Sequence, residues 1–193
     1  MRIPNELDTY KLLGAINLKK PFGPRDHAMT RLALHTGVRV SELTGIDVGH
    51  VWANGAPRAW LDLPAPVCKG HRSGQIPLNP CAQRAITELV QFLRARGFST
   101  APDAPLLTDR RHRRLPAREV QRCIQNYREI AGLDIRVTPH SLRHAFVSRL
   151  VEQGANLGQV QSLSRHRQIT TTQIYIHSQP DHLVQAVGLL QGP

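Results

Sequence analysis

The stretch NPCAQRAITELVQFLRARG, residues 79–97, admits one local structure. Asn79 can cap a helix through its side-chain oxygen. Pro80 suits the first turn, where no backbone N–H is required, and Gly97 offers a left-handed stop. The same punctuation recurs along the chain. PRDHAMTRLALHTG (24–37) carries helix-spaced apolar residues up to Gly37, and AREVQRCIQNYREIAG (117–132) ends at Gly132. Thr138 and Pro139 open a helix that Gly154 closes, Asn156 opens the next, and the threonines at 170–172 open another. After Asp47 the period changes. RAWLDLP (58–64) and GQIPL (74–78) flank APVCKGHRSG, which predicts a β-hairpin or small sheet with a basic connection. FSTAPDAPLLTDRRHRRLP (98–116) reads as a Pro-rich basic loop with a brief strand at Leu106 and Leu107. The expected fold is mainly α with a small antiparallel β-sheet, and no internal repeat or low-complexity segment interrupts it.

A chain of 193 residues, 40% of them hydrophobic, can bury one good core, or one domain with a small appendage. Lys and Arg number 25 against 14 Asp and Glu, a formal charge of +11 that is spread along the chain rather than gathered in a tail. That balance favours a polyanion such as nucleic acid as partner, although a ribosomal or merely basic surface protein would share it. Cys68, Cys81 and Cys123 lack paired metal or disulfide spacing and read as free thiols in a reducing cytosol. With no signal-like N-terminus and no apolar run of 18 residues, the expectation is a cytoplasmic protein with no membrane partner.

Several residues then offer chemistry. His140 and Arg143 stand three apart near a helix start, where backbone N–H groups and the helix dipole also favour an anion. The bland alternative has His140 satisfying a buried acceptor and Arg143 covering surface. His140 and His144 have zinc-ligand spacing, but Ser141 stands where a metalloprotease helix needs glutamate, so no metal is expected. Arg39, among Val38, Val40 and Leu43, is expected at a partly buried helix start and needs an anionic partner. Glu42 or a phosphate would serve. Lys69 sits beside Gly70 in the hairpin connection, and His166 precedes Tyr175 by nine residues. Tyr175 lies between Ile174 and Ile176, where plain helix packing is the ordinary reading.

Taken together, these boxes carry a family resemblance. TPHSLRHAFVSRLVEQG and LSRHRQITTTQIYIH resemble, in order and spacing, the H-x-x-R and histidine-to-tyrosine boxes of the tyrosine recombinases. That is the phage-integrase family, with its Xer and Cre members. HTGVRVSEL resembles its first arginine box, and CKGHRSGQIPL its β-hairpin lysine box. The resemblance implies a catalytic domain over 24–178 that acts on double-stranded DNA as a site-specific recombinase, through a covalent 3′-phosphotyrosine and with no cofactor. It implies that Arg39 and Arg143 hold the scissile phosphate, Lys69 protonates the leaving 5′-oxygen, and His140 handles the nucleophile's proton. His166 supports the phosphate, and Tyr175 is the nucleophile. A homo-oligomer on DNA, a tetramer when active, is implied as well. The stripe Leu183, Val184, Val187 and Leu190 in the tail (179–193) either covers its own core or passes to a neighbouring subunit.

Two features depart from the family pattern. Family members usually have Leu-Gly-His where this chain has Ser164, Arg165 and His166. Most also carry a helical core-binding domain ahead of the catalytic one, whereas some 23 residues precede the first catalytic helix here. The expectation is either a short form with an N-terminal extension (1–23), similar in extent to the fimbrial phase-variation invertases, or equally a truncated piece of a longer protein. A catalytically weak DNA-binding accessory is the competing reading.

Overall fold

A computed structural model describes residues 3–68 and 73–165. Two compact units divide the chain, residues 1–146 and 147–193. In chain order the elements are α1 (Glu6–Gly14), α2 (Gly23–Thr36), α3 (Val40–Gly45), α4 (Val48–Val51), β1 (Trp52–Ala53), β2 (Ala56–Pro57), β3 (Trp60–Leu63), β4 (Gly74–Pro77), α5 (Pro80–Ala95), α6 (Ala117–Ile130), α7 (Pro139–Glu152) and α8 (Leu157–Ser164). The expected mainly α class holds, with two small antiparallel sheets in place of one.

The first unit is built on α2 and α5, which pack against each other more extensively than any other pair of described elements. Ala28, Met29, Leu32 and Ala33 on α2, and Ala82, Ala85, Ile86, Leu89 and Leu93 on α5, repeat at helical spacing and are buried together. Each fully buried leucine contributes about 1.5–3 kcal/mol. The ends of α5 follow its sequence signals. The Asn79 side chain accepts from the Ala82 N–H at 2.9 Å, Pro80 occupies the first turn, and Gly97 takes φ +67° just beyond the end.

β3 and β4 pair antiparallel with Leu61 opposite Ile76 and Leu63 opposite Gly74. Leu61, Leu63 and Ile76 face the core while Trp60 stays half-exposed, the alternation expected of a strand wetted on one side. The second sheet is the β1–β2 hairpin, turned by Asn54 and Gly55 at φ 53° and 79°. Leu106 and Leu107 are buried and tied by backbone bonds to Ile46 and Leu115. Only isolated bridges form beside them, at Asp47–Pro105 and Thr108–Arg114, so the expected strand there does not extend into a ladder.

Residues ahead of Pro24 form α1, opened by a reciprocal cap in which Asn5 and Asp8 each accept the other's backbone N–H. Leu12 and Ile16 anchor this segment in the core. The second unit contains α8, again reciprocally capped, by Asn156 and Gln159. No helix among the described residues is long and apolar enough to cross a membrane.

Candidate active site

Both described arginines of the candidate site are held at the turn that ends α2. Gly37 caps that helix at φ +59°, in the left-handed region that side chains disfavour. A Cβ at this position would also lie 2.3 Å from the Phe146 ring, so space and backbone both require glycine. The reversal delivers the chain at once into α3, with Arg39 as its N-terminal cap residue.

Arg39 is a quarter to a third exposed, at 29%, whereas its partner Glu42 is 0% exposed. Glu42 Oε2 accepts the Arg39 backbone N–H at 2.7 Å, and Oε1 accepts from the guanidinium Nη1 at 2.9 Å. One buried carboxylate thus holds both ends of the arginine, as the sequence allows for Glu42. Such a pair orients the guanidinium fork more than it stabilises the fold, because burying Glu42 carries a desolvation cost.

Arg143 reaches the same turn from α7. It is 5% exposed, and its Nη1 donates to the Gly37 carbonyl at 2.5 Å. Since Gly37 and Arg39 are two residues apart, their Cα atoms lie within about 7 Å. The two arginines of the sequence reading are therefore brought to one turn, which Arg143 anchors at the Gly37 carbonyl and which carries Arg39 two residues on. Phe146, three residues after Arg143 on the same helix face, packs where the glycine leaves room.

The position of α7 is set by its own cap. The Thr138 N–H donates to Ser141 Oγ at 2.7 Å, and the Ser141 N–H donates to Thr138 Oγ1 at 3.2 Å. His140 therefore sits in the first turn, exposed, one turn ahead of Arg143. Its ring meets that of His144 edge-to-face, centroids 4.3 Å apart at 86°. Burial, then the neighbouring His140 and Arg143, push the His144 pKa below the ordinary imidazole value. His144 is thereby held neutral near pH 7. Among the described residues, no group of three or more His, Cys, Asp or Glu could hold a metal ion.

Lys69, His166 and Tyr175 lie outside the described residues, as do the helix expected after the threonines and the tail. The strands flanking Lys69 are described, and they pair antiparallel as the sequence predicts. Arg165, standing in the usual glycine's place, caps α8 at φ 52° and ψ 42°, the left-handed conformation a glycine would adopt there. The sequence does not show the Gly37 carbonyl as Arg143's acceptor or Phe146 as the reason for the glycine. It does carry a hint, because H-T-G-V-R places the left-handed stop two residues before the arginine.

The phage integrase family model matches residues 5–182. Among curated proteins, the tyrosine recombinase XerC of Thermodesulfovibrio yellowstonii is 31% identical over 185 residues, covering 92% of this chain and 58% of that one. The chain spans little more than half the length of the curated relatives it matches. Among solved structures, XerA recombinase superposes with a TM-score of 0.77 at 23% identity, over 100% of this chain and 66% of that one. XerH site-specific recombinase, in a post-cleavage complex with palindromic difH substrate, superposes with a TM-score of 0.74 at 19% identity, over 99% of this chain and 54% of that one. These structural likenesses establish the fold.

Proposed function

The chain belongs to the phage integrase family, and from that premise we propose that it cleaves and rejoins double-stranded DNA through a covalent 3′-phosphotyrosine. One observation carries this reading: Arg39 and Arg143, 104 positions apart in sequence, converge on the Gly37 turn with His140 one helical turn away. Two arginines gathered at one turn suit the non-bridging oxygens of a phosphodiester, since each planar fork can grip two oxygens. As the phosphorus becomes five-coordinate, its added negative charge is met by groups already in place.

In the proposed reaction Tyr175 Oη bonds to phosphorus while the bond from phosphorus to the 5′-oxygen breaks. A free phenol titrates near about pH 10, so attack at neutral pH requires a base, and His140 takes this proton. Lys69 gives a proton to the leaving 5′-oxygen, and His166 donates to a phosphate oxygen. Rejoining runs the same steps backwards. Residues 24–178 make up the catalytic domain in this reading, the tail 179–193 passes to a neighbouring protomer, and four copies assemble on paired sites. The setting is the cytoplasm, where DNA is available.

A nicked suicide duplex tests the reading. A covalent adduct is expected with this chain and none with Tyr175→Phe, which should bind DNA nearly as well. Lys69→Ala should be partly rescued by a 5′-bridging phosphorothiolate, whose sulfur leaves without a proton. If no Tyr175-dependent adduct forms even with a full-length relative present, the chain is a DNA-binding accessory and the enzyme reading fails.

A further inference from the structure

His140 and His144 stand one turn apart on α7 and are supported differently. Ser141, Leu142, Arg143 and Ala145 beside them are buried, and the Thr138–Ser141 cap fixes the start of the helix. His144 is half-buried in this fixed stretch, whereas His140 is exposed in the first turn. Arg39 and Arg143 are each held by hydrogen bonds. Among the described residues, no hydrogen bond or ion pair holds the His140 side chain. An exposed histidine left so would pass among its rotamers.

What meets the His140 ring is the ring of His144, edge-to-face with centroids 4.3 Å apart at 86°. The direction of support follows from helix geometry. Side chains lean toward the N-terminus of their helix, so His144 reaches back onto the turn that carries His140, while His140 leans outward past the helix start. The less exposed ring is thus the support, and the more exposed ring is what it supports.

We propose that His144 is a positioning residue for strand cleavage: its ring holds the His140 imidazole in one orientation, ready to take the Tyr175 proton. The inference rests on the reading of the chain as a recombinase with His140 as the base. As Tyr175 Oη bonds to phosphorus and the bond to the 5′-oxygen breaks, the phenolic proton passes to a ring nitrogen of His140, and His144 stays neutral. Burial, then His140 and Arg143, keep the His144 pKa below the ordinary imidazole value, so it does not draw that proton onward. In this role His144 acts only through His140. Packing its own helix is the ordinary role for a half-buried histidine, and the two roles give different kinetics.

The test is single-turnover cleavage of a nicked suicide duplex at saturating DNA, with the folding of each variant checked by circular dichroism. His144→Asn keeps a polar side chain and removes the ring; it should slow cleavage about 10–10²-fold with the half-saturating DNA concentration unchanged. His144→Phe keeps a ring without nitrogens and should stay within about threefold of the unmodified chain, because the edge-to-face contact survives. In a His140→Ala background, His144→Asn should cost less than about twofold more, because the residue it acts through is gone. Apart from cleavage, the NMR resonances of the His140 ring should be displaced by the neighbouring ring in the unmodified chain and in His144→Phe. In His144→Asn they should move to those of an exposed histidine, and an unmoved spectrum there would overturn the proposal. Additive losses in the double variant, or equal losses in His144→Asn and His144→Phe, would assign His144 a role of its own and overturn it too. So would losses that only track the folded fraction. Should the unmodified chain form no Tyr175-dependent adduct, the proposed function falls and this inference with it. If it cleaves well and His144→Asn cleaves equally well, only the role of His144 is wrong.

Discussion

Two buried arginines at opposite ends of α2 look alike by residue type and exposure, Arg25 at 6% and Arg143 at 5%, yet their surroundings differ in kind. Arg25 is matched by a buried carboxylate, which Tyr127 also engages, so its charge is cancelled where it stands. Arg143 donates to the carbonyl of Gly37, 106 positions away, a bond that ties its guanidinium to the backbone of the α2–α3 turn. Arg39 is paired with buried Glu42 but still part exposed. Burial alone therefore does not separate a structural arginine from a candidate catalytic one.

The largest expected effect breaks the comparison at the reacting end. Arg39→Ala and Arg143→Ala should each slow covalent adduct formation by about 10²–10³ or more at saturating DNA, through lost stabilisation of the pentacoordinate charge. Arg25→Ala should cleave in proportion to its folded fraction, as read by single-turnover gels beside circular dichroism. An equal loss in Arg25→Ala under conditions where it is folded would erase the distinction.

The opposite pole is stability. Asp26→Ala leaves Arg25 and Tyr127 buried without their shared acceptor, and urea unfolding should show a loss of about 3–5 kcal/mol. Gly37→Ala should cost less, about 1–3 kcal/mol, from positive φ and the clash with Phe146. Because that turn carries Arg39 and accepts from Arg143, its cleavage rate should fall further than its folded fraction.

The pH dependence of stability sharpens the contrast. His144 has its pKa lowered by burial, then by His140 and Arg143; His27 has its pKa lowered by burial and then by Arg31, against a smaller opposing pull from Glu88. The unfolded chain takes up these protons first as pH falls, so this contribution is complete above about pH 6.5 and declines below it. Urea unfolding between pH 5 and 8 should follow that course, and His144→Gln should flatten it. The smallest effect concerns Arg165, whose left-handed backbone is strained for any residue with a Cβ. Arg165→Gly should raise the melting temperature, by about 1 kcal/mol or less in stability.

Much of the helical frame is readable from its punctuation. The pattern over 79–97 corresponds to Pro80–Ala95, that over 24–37 to Gly23–Thr36, and that over 117–132 to Ala117–Ile130. Caps and glycine stops act through neighbouring backbone groups and need no distant partner. Other local signals are weaker when read alone. The N-G dipeptide at 54–55 turns the β1–β2 hairpin, and Asn5 with Asp8 boxes the start of α1. The apolar pattern of α1 does not announce a helix, because Leu12 and Ile16 bury against a core formed elsewhere in the chain while Leu7 and Tyr10 remain exposed.

By itself, the sequence determined which residue types were available for phosphate chemistry, their order, and the helices and hairpin on which most of them stand. Local hydrogen bonding and steric preference act within a few residues and leave marks that a sequence displays. Only the tertiary structure decided that Arg143 crosses 106 positions to the Gly37 carbonyl, and that equally buried Arg25 reaches the Thr108 carbonyl while Tyr127 shares its partner Asp26. Those outcomes depend on which helix faces meet. Long-range packing sets that, and the desolvation cost of each buried charge then selects the partner it finds.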